Sequence, residues 1–173
     1  MGGADKAFLM LNGQPLIARL LARLAPQVGR IAISANGDAA RFAAFGLTVL
    51  PDAGLAGKGP LAGVAAGLAW AAGLGVASLL TVPVDTPFIP EDLAVRLAPT
   101  PAVAVYQGRQ HHLVAHWPVA ALPEILAFLE TPGPWRVRDG LGGARPVAFA
   151  GASDPFLNIN TPEDLRAAGG RGG

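Results

Sequence analysis

Residues 78–90 read SLLTVPVDTPFIP. The first half is a run of apolar and β-branched residues suited to a strand buried on both faces, and the run stops at one carboxylate, Asp85. In an open α/β sheet the carboxyl ends of the strands border the ligand crevice. An Asp at such an end is placed to hold a hard cation against a phosphate. The same sequence is equally consistent with Asp85 serving as the cap of a Thr86-Pro87 turn.

Outward from this stretch, strand and helix patterns alternate along almost the whole chain, which predicts a mostly parallel sheet with helices on both faces. Residues 14–25 form a helix in this reading, with Pro15 in its first turn, Leu16, Leu20, Leu21 and Leu24 on one face, and Pro26 as its stop. A strand at 30–34, a helix at 38–45 and a strand at 47–50 follow. Asn36 and Asp52 stand just beyond those two strands, as Asp85 stands beyond the third. If the three strands are parallel neighbours, these side chains converge on one rim; if not, they are turn chemistry. Further on, the pattern gives a two-turn helix after Pro90 and extended segments at 102–107 and 113–117, joined through 108–112. An amphipathic helix at 119–129, a short helix starting within 135–139 and a last strand at 147–150 come next. Thr161-Pro162-Glu163-Asp164 is a helix start, with Thr161 as N-cap and Asp164 three residues beyond it.

The 173 residues suffice for one α/β domain with a real core. The expected organisation is a single domain over 1–168 and a disordered tail over 169–173, GGRGG. A formal net charge of +1 without any Lys/Arg block argues against a nucleic-acid groove and for a small-molecule partner. With no cysteine, thiolate ligands, disulfides and cysteine nucleophiles are excluded. MGGADKAF lacks the basic-then-apolar order of a secretory signal, so the expected location is the cytoplasm. Residues 60–84 carry no charge and are long enough to span a membrane, but they are rich in Ala and Gly and broken at Gly73-Leu74-Gly75. They read as a small-residue helix feeding a buried strand, and no membrane partner is expected.

Several pieces have chemical potential. The GG-x-DK run at 2–6 joins a flexible backbone to the Lys6 amine, suited to phosphate; taken alone it reads equally well as a flexible start of the chain. GLAGKGPLAG at 54–63 runs into a helix N-terminus, which favours an anion; it reads equally well as a surface loop closed by Pro60. His111 and His112 point to opposite faces of an extended segment and cannot easily share one metal ion. No G-x-S-x-G elbow occurs. Trp70, Trp117 and Trp135 read as packing residues. Asn158 and Asn160 place two amides on one face of an extended stretch, to read a heterocycle or to tie down a loop.

Taken in order, MGGADK, SAN at 34–36, PD at 51–52, GPLAG at 59–63, VDTPFIP at 84–90 and NINTPEDL at 158–165 resemble molybdenum cofactor guanylyltransferase. The motifs span nearly the whole chain. The resemblance implies an α/β, Rossmann-like nucleotidyltransferase fold and a magnesium-dependent transfer of GMP from GTP to the terminal phosphate of molybdenum-bound molybdopterin, releasing pyrophosphate. It implies Lys6 at the GTP phosphates, Gly3, Asn36, Asp52 and Gly59 among the substrate contacts, Asp85 as the Mg²⁺ ligand, and Asn158 and Asn160 toward the molybdopterin. Lys6 and Asp85 are then the catalytic pair. Molybdoenzymes or their chaperones are further implied partners. Lys58 matches no family motif residue and is kept only as a phosphate neighbour.

One departure stands out. The family begins with a strand, a Leu-Ala-Gly-Gly loop and an arginine ahead of the Met-Gly-Gly at which this sequence starts, so the domain is expected to be shortened at its N-terminus. Either the sequence starts at an internal methionine of a longer protein, which the intact remaining motifs favour, or it is a shortened relative with weakened GTP binding. The rival readings are a molybdopterin cytidylyltransferase, another nucleotidyltransferase, and a non-catalytic module that binds molybdopterin or a molybdoenzyme.

Overall fold

The computed structural model describes residues 5–52 and 54–170. The Asp5 carboxylate caps a single 3₁₀ turn at Lys6–Phe8, and a short antiparallel pair follows, β1 (Met10–Leu11) with β2 (Gln14–Pro15). Helix α1 (Leu16–Leu24) starts at once behind Pro15 and buries Leu16, Leu20 and Leu24 of the expected stripe together with Ile17, while Leu21 is half-buried. Next, β3 (Ala32–Ser34) pairs in parallel with β4 (Thr48–Leu50). Their connection at Ala39–Phe45 is a 3₁₀ helix, capped by Asp38 and ended by Gly46 in the left-handed region.

Helix α2 (Pro60–Gly73) is apolar all round and buries Leu61, Val64, Ala65, Leu68 and Ala71. Its small residues let strands come close: a Cβ on Gly63 would lie 2.6 Å from Ser34 Oγ, and one on Gly67 would lie 2.9 Å from Leu79 Cδ2. Among the described residues no helix is long and apolar enough to cross a membrane. The helix feeds β5 (Ser78–Thr81), as the composition of 60–84 implies. Helix α3 (Leu93–Leu97), β6 (Ala102–Tyr106) and β7 (Arg109–Pro118) come next. The hairpin between β6 and β7 is tighter than its sequence suggests. Gln107 (φ 47°) and Gly108 (φ 79°) alone make the turn, so 109–112 belong to β7 and not to a connection. Helix α4 (Leu122–Glu130), the short α5 (Val137–Gly140), β8 (Arg145–Phe149) and α6 (Pro162–Gly169) complete the order. The tail expected over 169–173 falls mostly on 171–173, outside the described residues, as does Gly3.

The larger sheet has the order β5-β7-β6-β8, with β7 antiparallel to both neighbours and β8 parallel to β6. Side-chain alternation along β6 splits the interior into two layers. Ala102, Ala104 and Tyr106 join α1, α3 and Phe156 on one face, while Val103 joins α2, α4 and Trp117 on the other. Helices thus cover both faces. The pair β3–β4 is a separate sheet; no hydrogen-bonded ladder joins β3 to β5. Of the three strand ends expected to share a rim, those of β3 and β4 are parallel neighbours and that of β5 is not paired to them.

Candidate active site

Asp85 lies past the end of β5 with 8% of its surface exposed, and its two oxygens differ. Oδ2 accepts from Lys6 Nζ at 3.0 Å, while Oδ1 is buried with no hydrogen-bond partner. Lys6 also donates to Asn160 Oδ1. The Asp85 carbonyl accepts from Ile159 N–H at 2.9 Å, which pins the Asn158-Ile159-Asn160 segment alongside. Ile159 is fully buried with Leu11, Leu16 and Ala168, so its neighbours Asn158 and Asn160 face outward. Asn160 is held further by the start of α6. Its N–H donates to Asp164 Oδ2 at 2.9 Å, as does that of Thr161, and the Thr161 hydroxyl accepts from Asp164 N–H at 3.0 Å. This is the capping box expected from TPED. Those donors, the Asn160 amide first, hold the Asp164 carboxyl below its ordinary value.

Asn36 and Asp52 make a reciprocal pair. Asn36 Nδ2 donates to Asp52 Oδ2 at 2.6 Å, and Asp52 N–H donates back to Asn36 Oδ1 at 3.0 Å. Arg41, which the sequence did not single out, ties this pair to the lysine. Its guanidinium donates to the Asn36 carbonyl at 2.7 Å and to Asp5 Oδ2 at 2.9 Å, and Asp5 directly precedes Lys6. A continuous polar chain therefore runs from Asp52 through Asn36, Arg41 and Asp5 to Lys6, Asp85 and Asn160.

Gly59 takes a positive φ of 70° as the residue before Pro60, a conformation that favours glycine, and it aims the chain into α2 beside Asp52. The positive dipole end of α2 thus lies by the Asn36–Asp52 pair, a Cβ on Gly63 falling 3.8 Å from Asp52 Oδ1; of its first-turn residues Pro60 carries no N–H and Ala62 N–H donates to the Gly59 carbonyl at 3.1 Å. Lys58, kept from the sequence as a phosphate neighbour, has other partners. It donates to the Leu129 carbonyl near the end of α4 and lies 5.3 Å from the Trp135 ring centre.

Asn158 does not join Asn160. It borders a cavity of about 390 Å³, with Pro83, Arg109, His112, Arg136 and Arg138 also on its wall. His111, on the same wall, packs at 5.0 Å against Phe156, and its Nε2 is buried without a partner. Burial pulls its pKa below the ordinary value, with Asp154 opposing and Arg109 and His112 assisting.

Among the described residues no cluster of three or more His, Cys, Asp or Glu is placed to hold a metal ion. The bare Oδ1 of Asp85 is nonetheless the donor a hard cation seeks. One carboxylate plus substrate phosphate oxygens and water is a sufficient set for Mg²⁺.

The sequence model of the MobA-like NTP transferase domain matches residues 1–145. The molybdenum cofactor guanylyltransferase of Acidiphilium cryptum (strain JF-5) is 55% identical over 170 residues, covering 97% of this chain and 87% of that protein. That of Rhodobacter capsulatus is 53% identical over 168 residues, covering 96% and 87%. Among solved structures, the molybdopterin-guanine dinucleotide biosynthesis protein A of Archaeoglobus fulgidus superposes with a TM-score of 0.73 at 20% identity, over 98% of this chain and 91% of that one. The 4-diphosphocytidyl-2C-methyl-D-erythritol synthase gives 0.67 at 13% identity, over 94% and 92%. Both share the nucleotidyltransferase fold. By sequence over nearly its whole length, the chain belongs to the molybdenum cofactor guanylyltransferases of the MobA-like NTP transferase family.

Proposed function

We propose that this chain transfers GMP from GTP to the terminal phosphate of molybdopterin, with pyrophosphate as the leaving group, and that Lys6 and Asp85 carry the catalysis. The observation behind this reading is the Lys6 amine set between the Asp85 carboxylate and the Asn160 amide beyond the end of β5. The attacking phosphate is already an anion and needs no strong base. What the chain must do is align that phosphate behind the α-phosphorus and neutralise charge on the departing pyrophosphate. Lys6 supplies a positive charge for the phosphates, and the start of α2, entered through Gly59, supplies the positive end of its helix dipole. Asn36 and Asp52 hold the nucleotide beside it, and Gly3, which lies outside the described residues, is assigned with them. Asn160 orients Lys6, and Asn158 faces the molybdopterin. Mg²⁺ on Asp85, when bound, supplies Lewis-acid stabilisation of the phosphate oxygens. Action in the cytoplasm, and delivery of the product to molybdoenzymes or their chaperones, belong to the same reading.

The test is calorimetric titration of the 173-residue chain with GTP and with CTP, each with Mg²⁺, beside release of pyrophosphate in the presence of molybdopterin. Selective GTP binding that disappears in Asp85→Ala is the expected result. Equal or preferred CTP binding would overturn the guanylyl assignment, and nucleotide-independent molybdopterin binding without pyrophosphate release would overturn catalysis.

A further inference from the structure

Lys6 sits in a turn that is fastened on both sides to one other segment. Ahead of it, the Asp5 carboxylate divides its oxygens: Oδ1 accepts from Ala7 N–H at 3.1 Å and so caps the turn, while Oδ2 accepts from Arg41 Nε at 2.9 Å. Behind it, Phe8 stacks on Phe42 with ring centres 5.4 Å apart and lies 6.4 Å from Phe45. Ala7, between the two ties, is buried in one cluster with Phe42 and Ile17. Arg41, Phe42 and Phe45 all belong to the 3₁₀ helix Ala39–Phe45, which begins three residues beyond Asn36.

The Arg41 guanidinium joins this turn to Asn36. Nη2 donates to the Asn36 carbonyl at 2.7 Å and Nη1 to the Asp38 carbonyl at 2.5 Å, so each of its three nitrogens has an acceptor on a different residue. The chain at 36–38 wraps it closely: a Cβ on Gly37 would lie 3.5 Å from Nη1. Its central carbon is 4.5 Å from the centre of the Phe42 ring, the ring on which Phe8 stacks. A planar fork of fixed geometry can meet three acceptors and a ring at once, which a lysine ammonium cannot. With these acceptors in place, Arg41 has little left to offer a phosphate directly. Its pair with Asp5 is also a poor device for stabilising the fold, because the side chains are 29% and 37% exposed and an ion pair in that setting contributes little. What the arrangement fixes is distance. The backbone that carries Asn36, bonded to Asp52, is held against the backbone that carries Lys6, bonded to Asp85.

We infer that Arg41 is a positioning residue for the transfer: it holds the Lys6 turn in register with the Asn36–Asp52 pair, so that the amine meets the phosphates of a nucleotide seated on that pair. It touches no reacting group and acts through Asp5. The inference rests on the reading of Lys6 as the phosphate lysine and of Asn36 and Asp52 as nucleotide contacts. A misplacement of about 1 Å at a reacting group costs on the order of 10²-fold in rate, so a contact that adds little to stability can still govern turnover.

The chain has two lysines, Lys6 and Lys58, so ¹³Cε-lysine NMR of the whole protein gives one signal for each, assigned with Lys58→Arg. Arg41→Gln and Asp5→Asn are each expected to move the Lys6 signal and leave that of Lys58 in place. The double variant should move it no further than one alone, since both changes break the same tie. Asp5→Asn suits this test because it keeps an oxygen for Ala7 N–H while turning an amide donor toward Arg41. In pyrophosphate release with Mg²⁺-GTP and molybdopterin, Arg41→Gln is expected to lower kcat at least about tenfold, with KM for GTP within about threefold and the melting midpoint unchanged. Arg41→Lys should behave like Arg41→Gln, because it lacks the fork. A Lys6 signal unmoved by Arg41→Gln, or shifts that add in the double variant, would overturn the inference. So would a raised KM at parental kcat, which would make Arg41 a nucleotide contact, or a lowered melting midpoint with both lysine signals displaced, which would make it a residue of the fold alone. A parent chain that releases no pyrophosphate would sink the guanylyl reading, and the Lys6 signal would still decide the role of Arg41.

Discussion

At Asp85 one oxygen is engaged by Lys6 at 3.0 Å and the other is buried bare. An unmet buried acceptor costs about 1–3 kcal/mol, so the residue gains from a cation that the resting chain does not itself provide at Oδ1. Asp85→Asn keeps the shape and removes the charge. We expect kcat to fall on the order of 10²–10³-fold, Mg²⁺ binding measured by calorimetry in the presence of GTP to weaken with it, and the melting midpoint to hold. Near-parental turnover at saturating Mg²⁺ and GTP would remove Asp85 from the role. Lys6 has a side chain 44% exposed, so its ion pair contributes little to folding, roughly 0–1 kcal/mol. Lys6→Ala also leaves the largely buried Asp85 carboxylate without its cation, so it is expected to lose turnover and GTP affinity and to lower stability by about 1–3 kcal/mol, read as a lower denaturant midpoint; parental kinetics would count against it. The positions of Asp85, Asn36 and Asp52 were legible in the sequence because polar residues that close apolar runs have a local mark, and that of Lys6 because it follows a glycine-rich stretch. Arg41 had none. It is one cation within an ordinary-looking helical stretch, and its role rests on meeting Asp5, 36 positions away, a proximity only the fold creates.

Elements transmit their local chemistry to these residues. The α6 capping box holds the Asn160 amide, and Asn160 in turn faces Lys6. Thr161→Ala removes the cap oxygen and should cost about 1 kcal/mol of stability, read as a lower urea midpoint, with faster amide exchange at Asn160 and Asp164. An unchanged exchange pattern would show that the box does not hold this segment. The α2 contact with β3 is tested differently. A Cβ at Gly63 would meet Ser34 Oγ at 2.6 Å, so Gly63→Ala should destabilise by about 1–3 kcal/mol. Adding Ser34→Ala should recover most of that loss, and a strictly additive double variant would mean that the obstacle lies elsewhere. Helices α1, α2 and α6 could be read from the sequence because Pro starts, apolar spacing and the TPED cap are local signals. The 3₁₀ form of Ala39–Phe45 could not. There the Arg41 guanidinium donates to the Asp38 carbonyl at 2.5 Å, a contact that no local pattern announces. The β6–β7 turn escaped for a similar reason: Gln107 adopts φ 47° without being the Asn or Gly that signals such a turn.

Across the whole molecule, β6 and β7 separate two cores, and the strand–helix alternation in the sequence was enough to imply such a layered arrangement with helices on both faces. It was not enough to give the separation of β3–β4 from β5, because pairing partners are a matter of long-range register that no local pattern states. The larger sheet is held to α3 partly through His116, whose Nε2 lies 2.9 Å from Ser78 Oγ and whose Nδ1 lies 3.4 Å from the Leu97 carbonyl. Burial lowers its pKa, against a smaller opposing effect of the Leu97 carbonyl, and burial does the same at His111. The sign follows. With a folded-state pKa below the unfolded value of about 6.5, the unfolded chain takes up protons first as pH falls, so stability is full above that value and declines toward the lowered folded pKa. The fall should begin above the range in which ordinary carboxylates titrate, which separates it from acid unfolding. Urea midpoints measured at pH 7.5, 6.5 and 5.5 are therefore expected to decrease in that order. His116→Gln retains an amide that can serve Ser78 and Leu97 but does not titrate, and it should flatten part of the decrease and leave the remainder to His111. Midpoints that stay level in the parent, or an equal slope in His116→Gln, would show that proton uptake at this histidine does not limit the stability of the sheet.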